Sequence, residues 1–406
     1  MAVETLRCRI CGEETPARAV GVCSQCFGPL EPVYDWDDIA RTVTRQSIEA
    51  GPHSMWRYAA LLPAEPPFDS ASGPGMTPLV PAPRLAQAVG VGELYLKLDT
   101  LNPTHSFKDR VVAVAAAKAL EFGLGTLSCT STGNLAGAVA ARAAALGLPS
   151  VIFCPAGIEP EKIEAARAYG PTIYGVRGTY DDVSRLVSEL AYEVDWGIVN
   201  VNLRSYYSEG SKTLAFEIAE QLGWQLPDAI AIPIASGSMF TKIWKGLEQF
   251  RRLELADGPM PRLYGGQAEG CSPVAAAFAE ERRVTPVRPD SIAHSLAIGN
   301  PADGDLAVAT AKESGGAIYS VPEADVGPNM GMLAGLTGIF GETAAGVTLG
   351  ALRAAVEHGD VGSDDRVVLI VSGTGLKTMQ AVEGMGTVVE IEPDADALLE
   401  QLGVGV

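Results

Sequence analysis

LYLKLDTLNPTHSFKDRVVAVAAAKALEFGLGTLSCT, residues 94–130, holds the passage on which the fold turns. LYLKL (94–98) is a short apolar run of the kind that makes a buried strand. Asn102-Pro103-Thr104 is turn chemistry: proline fixes φ, and Asn and Thr side chains bond nearby backbone. From Phe107 to Glu121 alanine, valine and spaced charges predict a helix, and TLSCT (126–130) reads as the next strand. Lys108 therefore falls in the first turn of a helix, where unpaired backbone N–H groups and the positive dipole end favour a neutral amine. A lysine in that setting can attack an aldehyde carbon.

The alternation continues outward. Helices are expected at 134–146, 160–169, 180–193, 210–223, 239–254 and 343–357, with a last one after Gly375. Between them lie the strand-like runs SVIFC (150–154), TIYGV (172–176), IVNVN (198–202), AIAIPIA (229–235) and RVVLIVS (366–372). Short apolar, β-branched runs flanked by helices imply parallel strands covered on both faces. The expected architecture is α/β: two open, mostly parallel-sheet domains with an interdomain cleft, preceded by an N-terminal zinc-ribbon-like segment. The ribbon is assigned to 1–33, a large domain to 34–110 and 206–406, and a smaller one to 111–205. Leu61 to Pro83, rich in Pro and Gly, reads as linker and loop.

Composition narrows the function. Of 406 residues 47% are apolar, which excludes a disordered chain. Thirty basic against 49 acidic residues give a net charge of −19, which argues against nucleic acid and anionic membranes as partners. An anionic substrate would need a local positive pocket. No apolar h-region follows Met1, and no apolar run reaches the ~18 residues of a membrane span, so a soluble cytoplasmic protein is expected.

Seven cysteines form an odd set without a secretory leader, which disfavours a disulfide framework. Cys8, Cys11, Cys23 and Cys26 make C-x2-C-x11-C-x2-C, two pairs on tight turns that can place four thiolates at the corners of a tetrahedron around structural zinc. A segment of about thirty residues cannot build a core alone, so the metal would hold it together. Cys129, Cys154 and Cys271 sit in apolar strand-like runs and read as core residues.

Ligands in open α/β sheets collect at the carboxyl ends of strands. Three turns there carry small or hydroxyl residues: TSTGN (130–134), ASGSMF (235–240) and SGTG (372–375). The first offers hydroxyls and the Asn134 amide, the second backbone N–H groups suited to a phosphate, the third the Ser372 hydroxyl.

Taken in order, these segments resemble threonine synthase, among the fold-type II pyridoxal-phosphate enzymes related to the tryptophan synthase β subunit. The likeness spans nearly the whole chain: the ribbon, GMTPLVPAPRL (75–85), NPTHSFKDR (102–110), EGSKTLAFEIAEQLGW (209–224), IWKGLEQF (243–250), SLAIGNP (295–301), GETAAGVTLGALR (341–353) and the GLK after the terminal strand. The resemblance implies pyridoxal 5'-phosphate as cofactor and Lys108 as its Schiff-base lysine. It places Asn134 on the phenolic oxygen, Ala235, Ser236, Gly237, Ser238 and Met239 around the cofactor phosphate, and Ser372 at the pyridine nitrogen. A neutral hydroxyl there leaves that nitrogen largely unprotonated. Ser131 and Thr132 would hold the substrate carboxylate, and Lys97, Arg110 and Arg204 are candidates for the substrate phosphate. The implied reaction converts O-phospho-L-homoserine and water to L-threonine and phosphate; the expected assembly is a homodimer.

The chain also departs from the family pattern. The glycine of the lysine motif is His105, the phosphate loop is ASGSM in place of G-N-A-G-N, and Thr374 stands for the histidine of T-G-H-G-L-K. Two other readings stay open at this level. One is a paralogous replacement enzyme such as cysteate synthase, using O-phosphoserine and sulfite; the other is a non-catalytic zinc-ribbon binding protein.

Overall fold

Three sheets organise the chain in the computed structural model, which describes residues 3–66, 73–131, 133–156, 161–178, 180–386 and 388–402. The N-terminal sheet is small and antiparallel: β1 (Thr5–Cys8) pairs with both β2 (Glu14–Pro16) and β3 (Leu30–Pro32). The remaining strands are β4 (Leu79–Pro81), β5 (Glu93–Leu98), β6 (Leu127–Thr130), β7 (Ser150–Pro155), β8 (Thr172–Val176), β9 (Gly197–Ile198), β10 (Ala229–Pro233), β11 (Arg262–Ala268), β12 (Ala317–Val321) and β13 (Arg366–Val371). They form a six-stranded sheet, β12-β11-β10-β13-β5-β4, and a four-stranded one, β8-β7-β6-β9. Every pairing in these two sheets is parallel except that of β4, which runs antiparallel along the edge. β10 and β13 are buried on both faces over all or nearly all their length, as helix-covered parallel strands must be.

The helix Lys108–Glu121 is buried from Asp109 through Ala119, and its alanines let neighbouring elements approach on all sides. It packs on the helix Asn134–Leu146 and on the turns at 204–211. The ribbon docks on the same turns: Ser205 Oγ donates to Val20 O at 3.3 Å and Tyr206 Oη to Arg18 O at 3.0 Å. Its Glu31 also pairs with Lys242 and, at 3.0 Å, with Lys245, both on the helix Ser238–Arg252.

Several expectations need correction. Of IVNVN only Ile198 is strand, in the short β9 Gly197–Ile198, because the Asn202 side chain accepts from Ile198 N and donates to Trp196 O at 2.9 Å each, folding the run into turns. After Gly375 come two 3-10 turns, Gly375–Lys377 and Met379–Val382, and the regular helix waits until Ala395–Gln401. The Leu61–Pro83 loop contains β4. Periodicity assigned nothing between 255 and 342, where β11, β12 and the helices Gly304–Ser314 and Glu323–Thr337 lie. Among the described residues no helix is long and apolar enough to cross a membrane.

Candidate active site

Backbone bonds stitch the lysine turn to the end of β13. Phe107 N donates to Ser372 O at 2.8 Å, Thr374 N to His105 O at 3.1 Å, and Ser106 bridges Gly373. A third segment joins from the other side, with Glu342 N donating to Gly373 O at 2.9 Å. Lys108, Ser372 and Glu342 are thus brought together by main-chain pairing.

Lys108 opens its helix as expected. Its Nζ donates to Tyr207 Oη at 3.0 Å and lies 4.5 Å from the centre of the Phe107 ring. Asn134, the first residue of its own helix, donates through Nδ2 to Glu342 Oε2 at 2.9 Å. Its Oδ1 accepts from Lys377 Nζ at 2.8 Å, and Lys377 is anchored on Thr104 O at 2.6 Å. That anchoring fixes which face of the amide offers its donors. Ser372 is buried, with Oγ 3.0 Å from Glu342 Oε1. Burial pushes the Glu342 carboxyl above its usual range, although hydrogen bonds from Asn134 and Ser372 and the charges of Lys377 and Lys108 pull the other way. Tyr207, Glu342 and Lys377 were not singled out from the sequence. The available signal for Glu342 and Lys377 was their position inside segments already quoted, GETAAGVTLGALR and the GLK after the terminal strand; Tyr207 lies just before EGSKTLAFEIAEQLGW.

The ASGSM turn follows β10 and leads into the helix Ser238–Arg252, whose first N–H groups lack intrahelical partners. Gly237 takes φ +89°, and a Cβ there would stand 2.6 Å from Asp303 O. Asp303 N donates to Ser236 O at 2.9 Å, and its carboxylate holds Arg204 at 2.8 Å. Met239 turns its side chain into the core, leaving only its backbone to the turn. Ser131 N is tied to Phe153 O at 3.1 Å; Thr132 lies outside the described residues.

Lys97 and Arg110 do not belong to a substrate site. Both side chains are fully buried, Lys97 paired with Glu217 at 2.6 Å and Arg110 with Asp99 at 2.7 Å and with Glu217. Their donors are consumed inside the protein. Arg204 keeps solvent contact, with 25% of its side chain exposed. His105 adopts φ +60°, the left-handed region where the family's glycine is at ease, and its Nδ1 lies 3.2 Å from Thr100 O. Thr374 caps the following 3-10 turn.

A family model described as pyridoxal-phosphate dependent enzyme matches residues 71–373. Threonine synthase of Methanosarcina acetivorans is 36% identical over 381 residues, 93% of either chain. That of Methanocaldococcus jannaschii is 32% identical over 397 residues, 97% of this chain and 98% of the relative. The chain belongs to the threonine synthase family. It is a pyridoxal-phosphate-dependent lyase of fold-type II, which sets aside the reading of a non-catalytic binding protein. Among solved structures, maize serine racemase superposes with a TM-score of 0.60 at 20% identity, over 80% of this chain and 92% of that one. Threonine deaminase of Solanum lycopersicum gives 0.63 at 21%, over 76% and 84%. These two share the fold.

The residues present fit the family's cofactor. An amine, an amide donor, a hydroxyl and a helix-start turn converge at strand ends, and Ser106 Oγ beside Lys108 is buried with no partner among the described residues. In the ribbon, the four sulfurs lie within 4.8 Å of one another, with Cys8–Cys26 at 3.5 Å, Cys11–Cys23 at 3.7 Å and Cys11–Cys26 at 3.4 Å. A tetrahedron with metal–sulfur bonds of about 2.3 Å has edges of about 3.8 Å. Ile10 N and Gln25 N each donate to a cysteine sulfur at 3.4 Å, so backbone already steadies two of the sulfurs.

Proposed function

We propose that this lyase acts in threonine biosynthesis, converting O-phospho-L-homoserine and water to L-threonine and phosphate. The observation that carries the reading is the end-to-end match to proteins named threonine synthase. When bound, pyridoxal phosphate supplies an electron sink for charge developing on substrate carbon. Lys108 would hold it covalently and, once released, move protons at the substrate's Cα and Cβ. Tyr207 steadies the Lys108 amine through its 3.0 Å bond. Asn134 would donate to the phenolic oxygen, Ser372 would face the ring nitrogen, and the 235–239 turn would take the cofactor phosphate on its backbone donors. Ser131 and Thr132 would receive the substrate carboxylate, and Arg204 is the remaining sequence candidate for the substrate phosphate.

The four ribbon cysteines would bind one structural zinc ion, whose four sulfur ligands would leave no open position for chemistry. Protein purified without added metal should contain about one zinc per chain; finding none, with all four thiols freely titrating, would remove the metal from this reading. The reaction is tested by phosphate release from O-phosphohomoserine, run beside O-phosphoserine with sulfite. Threonine formed only in the first tube supports the proposal. Phosphate released only in the second would reassign the protein to cysteate synthesis. A homodimer is proposed by analogy with the family and is measured by light scattering.

A further inference from the structure

The Glu342 carboxyl group touches two residues that the proposed function puts on the cofactor ring. Its Oε2 accepts from Asn134 Nδ2 at 2.9 Å, and its Oε1 lies 3.0 Å from Ser372 Oγ. Glu342 is 2% exposed, and its own backbone is fixed by the bond from Glu342 N to Gly373 O. Gly373 leaves room for it: a Cβ at that position would come within 2.5 Å of Glu342 Oε1. No cation pairs with this carboxylate within salt-bridge distance among the described residues, while Lys377 and Lys108 act on it from farther away. It is a buried acid held by one amide and one hydroxyl.

A hydroxyl has a single proton to give. If Glu342 is ionised, Ser372 donates to it and can only accept from a group on its other side. If Glu342 is protonated, it donates to Ser372 Oγ, and Ser372 donates onward. The two arrangements contain the same number of protons. They interconvert when the Glu342 proton passes to Ser372 Oγ while the Ser372 proton passes to the acceptor beyond it.

We propose that Glu342 is a positioning residue that shares one proton with the cofactor's ring nitrogen through the Ser372 hydroxyl. The proposal rests on Ser372 being the ring-nitrogen partner. A site that displays only a neutral hydroxyl to the ring thereby gains a dischargeable acid one bond behind it. Asn134 completes the arrangement, since its second amide proton stays available for the phenolic oxygen while the first holds Glu342 in place. Burial raises the Glu342 carboxyl above its ordinary range, the direction that favours the protonated arrangement.

The test uses the holoenzyme reconstituted with pyridoxal phosphate labelled with nitrogen-15 in the ring, followed by NMR from pH 5 to pH 9. In the wild type the ring-nitrogen resonance should move with pH as a one-proton titration. In Glu342→Gln, whose amide can donate to Ser372 and accept from Asn134, that titration should disappear while cofactor binding and the thermal melt are retained. In Ser372→Ala the resonance should move away from the wild-type position at every pH. A flat wild-type profile overturns the proposal, and so does an unchanged titration in Glu342→Gln alongside an altered Ser372→Ala. If Ser372→Ala leaves the resonance untouched, the placement of Ser372 at the ring nitrogen has failed, and the proposal falls with it.

Discussion

Two sets of buried ionisable side chains near the start of the helix that begins at Lys108 are built differently. Lys97, Asp99, Arg110 and Glu217 supply two cations and two anions, each side chain in reach of an opposite charge and the carboxylates further bonded by Thr77 or Met76 N. Burial raises the Glu217 carboxyl, but Arg110 and Lys97 outweigh it and hold the group at about 2. Glu342 has neutral partners in contact and is pushed upward. Charges that are matched in place lock elements together and cannot be spared for a ligand. A buried acid without a matching cation remains responsive to what binds beside it.

The largest expected effect concerns Lys108. Lys108→Ala should lower turnover by on the order of 10³-fold or more, since nucleophile and base vanish together. Borohydride treatment followed by mass spectrometry should then find no reduced adduct; an adduct retained in the variant would move the cofactor to another lysine.

Next comes the matched group. Glu217→Ala leaves Arg110 and Lys97 buried without their anion and should cost about 3–5 kcal/mol of stability in a urea titration. Glu342→Gln, with its hydrogen bonds kept, should shift the same titration by less than about 1 kcal/mol. Equal losses in the two variants would erase the distinction drawn between the groups.

The two acids should also respond oppositely to pH. Arg110 and Lys97 hold Glu217 at about 2 in the folded state against an ordinary 4.5, so its contribution is present above the unfolded pKa and is lost as pH falls through the folded value. Glu342 has a folded pKa above 4.5, so the folded state binds the extra proton and stability declines as pH rises through that raised value. Melting temperatures of cofactor-free protein at pH 5 and pH 8 should show a decline in the wild type that is smaller in Glu342→Gln. An identical decline would remove Glu342 as its source.

The smallest effect is expected at Ser372. Ser372→Ala should weaken cofactor affinity by about 1 kcal/mol, the worth of one hydrogen bond, and Ser372→Thr should be tolerated. Equilibrium dialysis of pyridoxal phosphate measures both. Ser372→Asp would set a second carboxylate against Glu342 and should bind worst of the three; an Asp variant matching the wild type would mean that Ser372 does not face the ring.

The sequence by itself determined a good deal. Apolar runs between alanine-rich helices made parallel strands the natural solution, and the helices at 134–146 and 343–357 run over the residues expected. C-x2-C-x11-C-x2-C brought four sulfurs within reach of one ion. In each case the information is local: periodicity, turn residues and short spacings act over a few neighbours. What only the tertiary structure decided is the fate of charged and polar side chains. Lys97 and Arg110 look like free cations beside the lysine motif, and became structural because Glu217, more than a hundred residues later, meets them in the core. Glu342 stands just before the helix expected at 343–357 and arrived at Ser372 because its backbone pairs with Gly373. Tyr207 reached Lys108 across 99 positions of sequence. A side chain's charge is written in its own residue, but the dielectric around it and the partner it meets are set by distant segments, so its role is fixed only when the chain has folded.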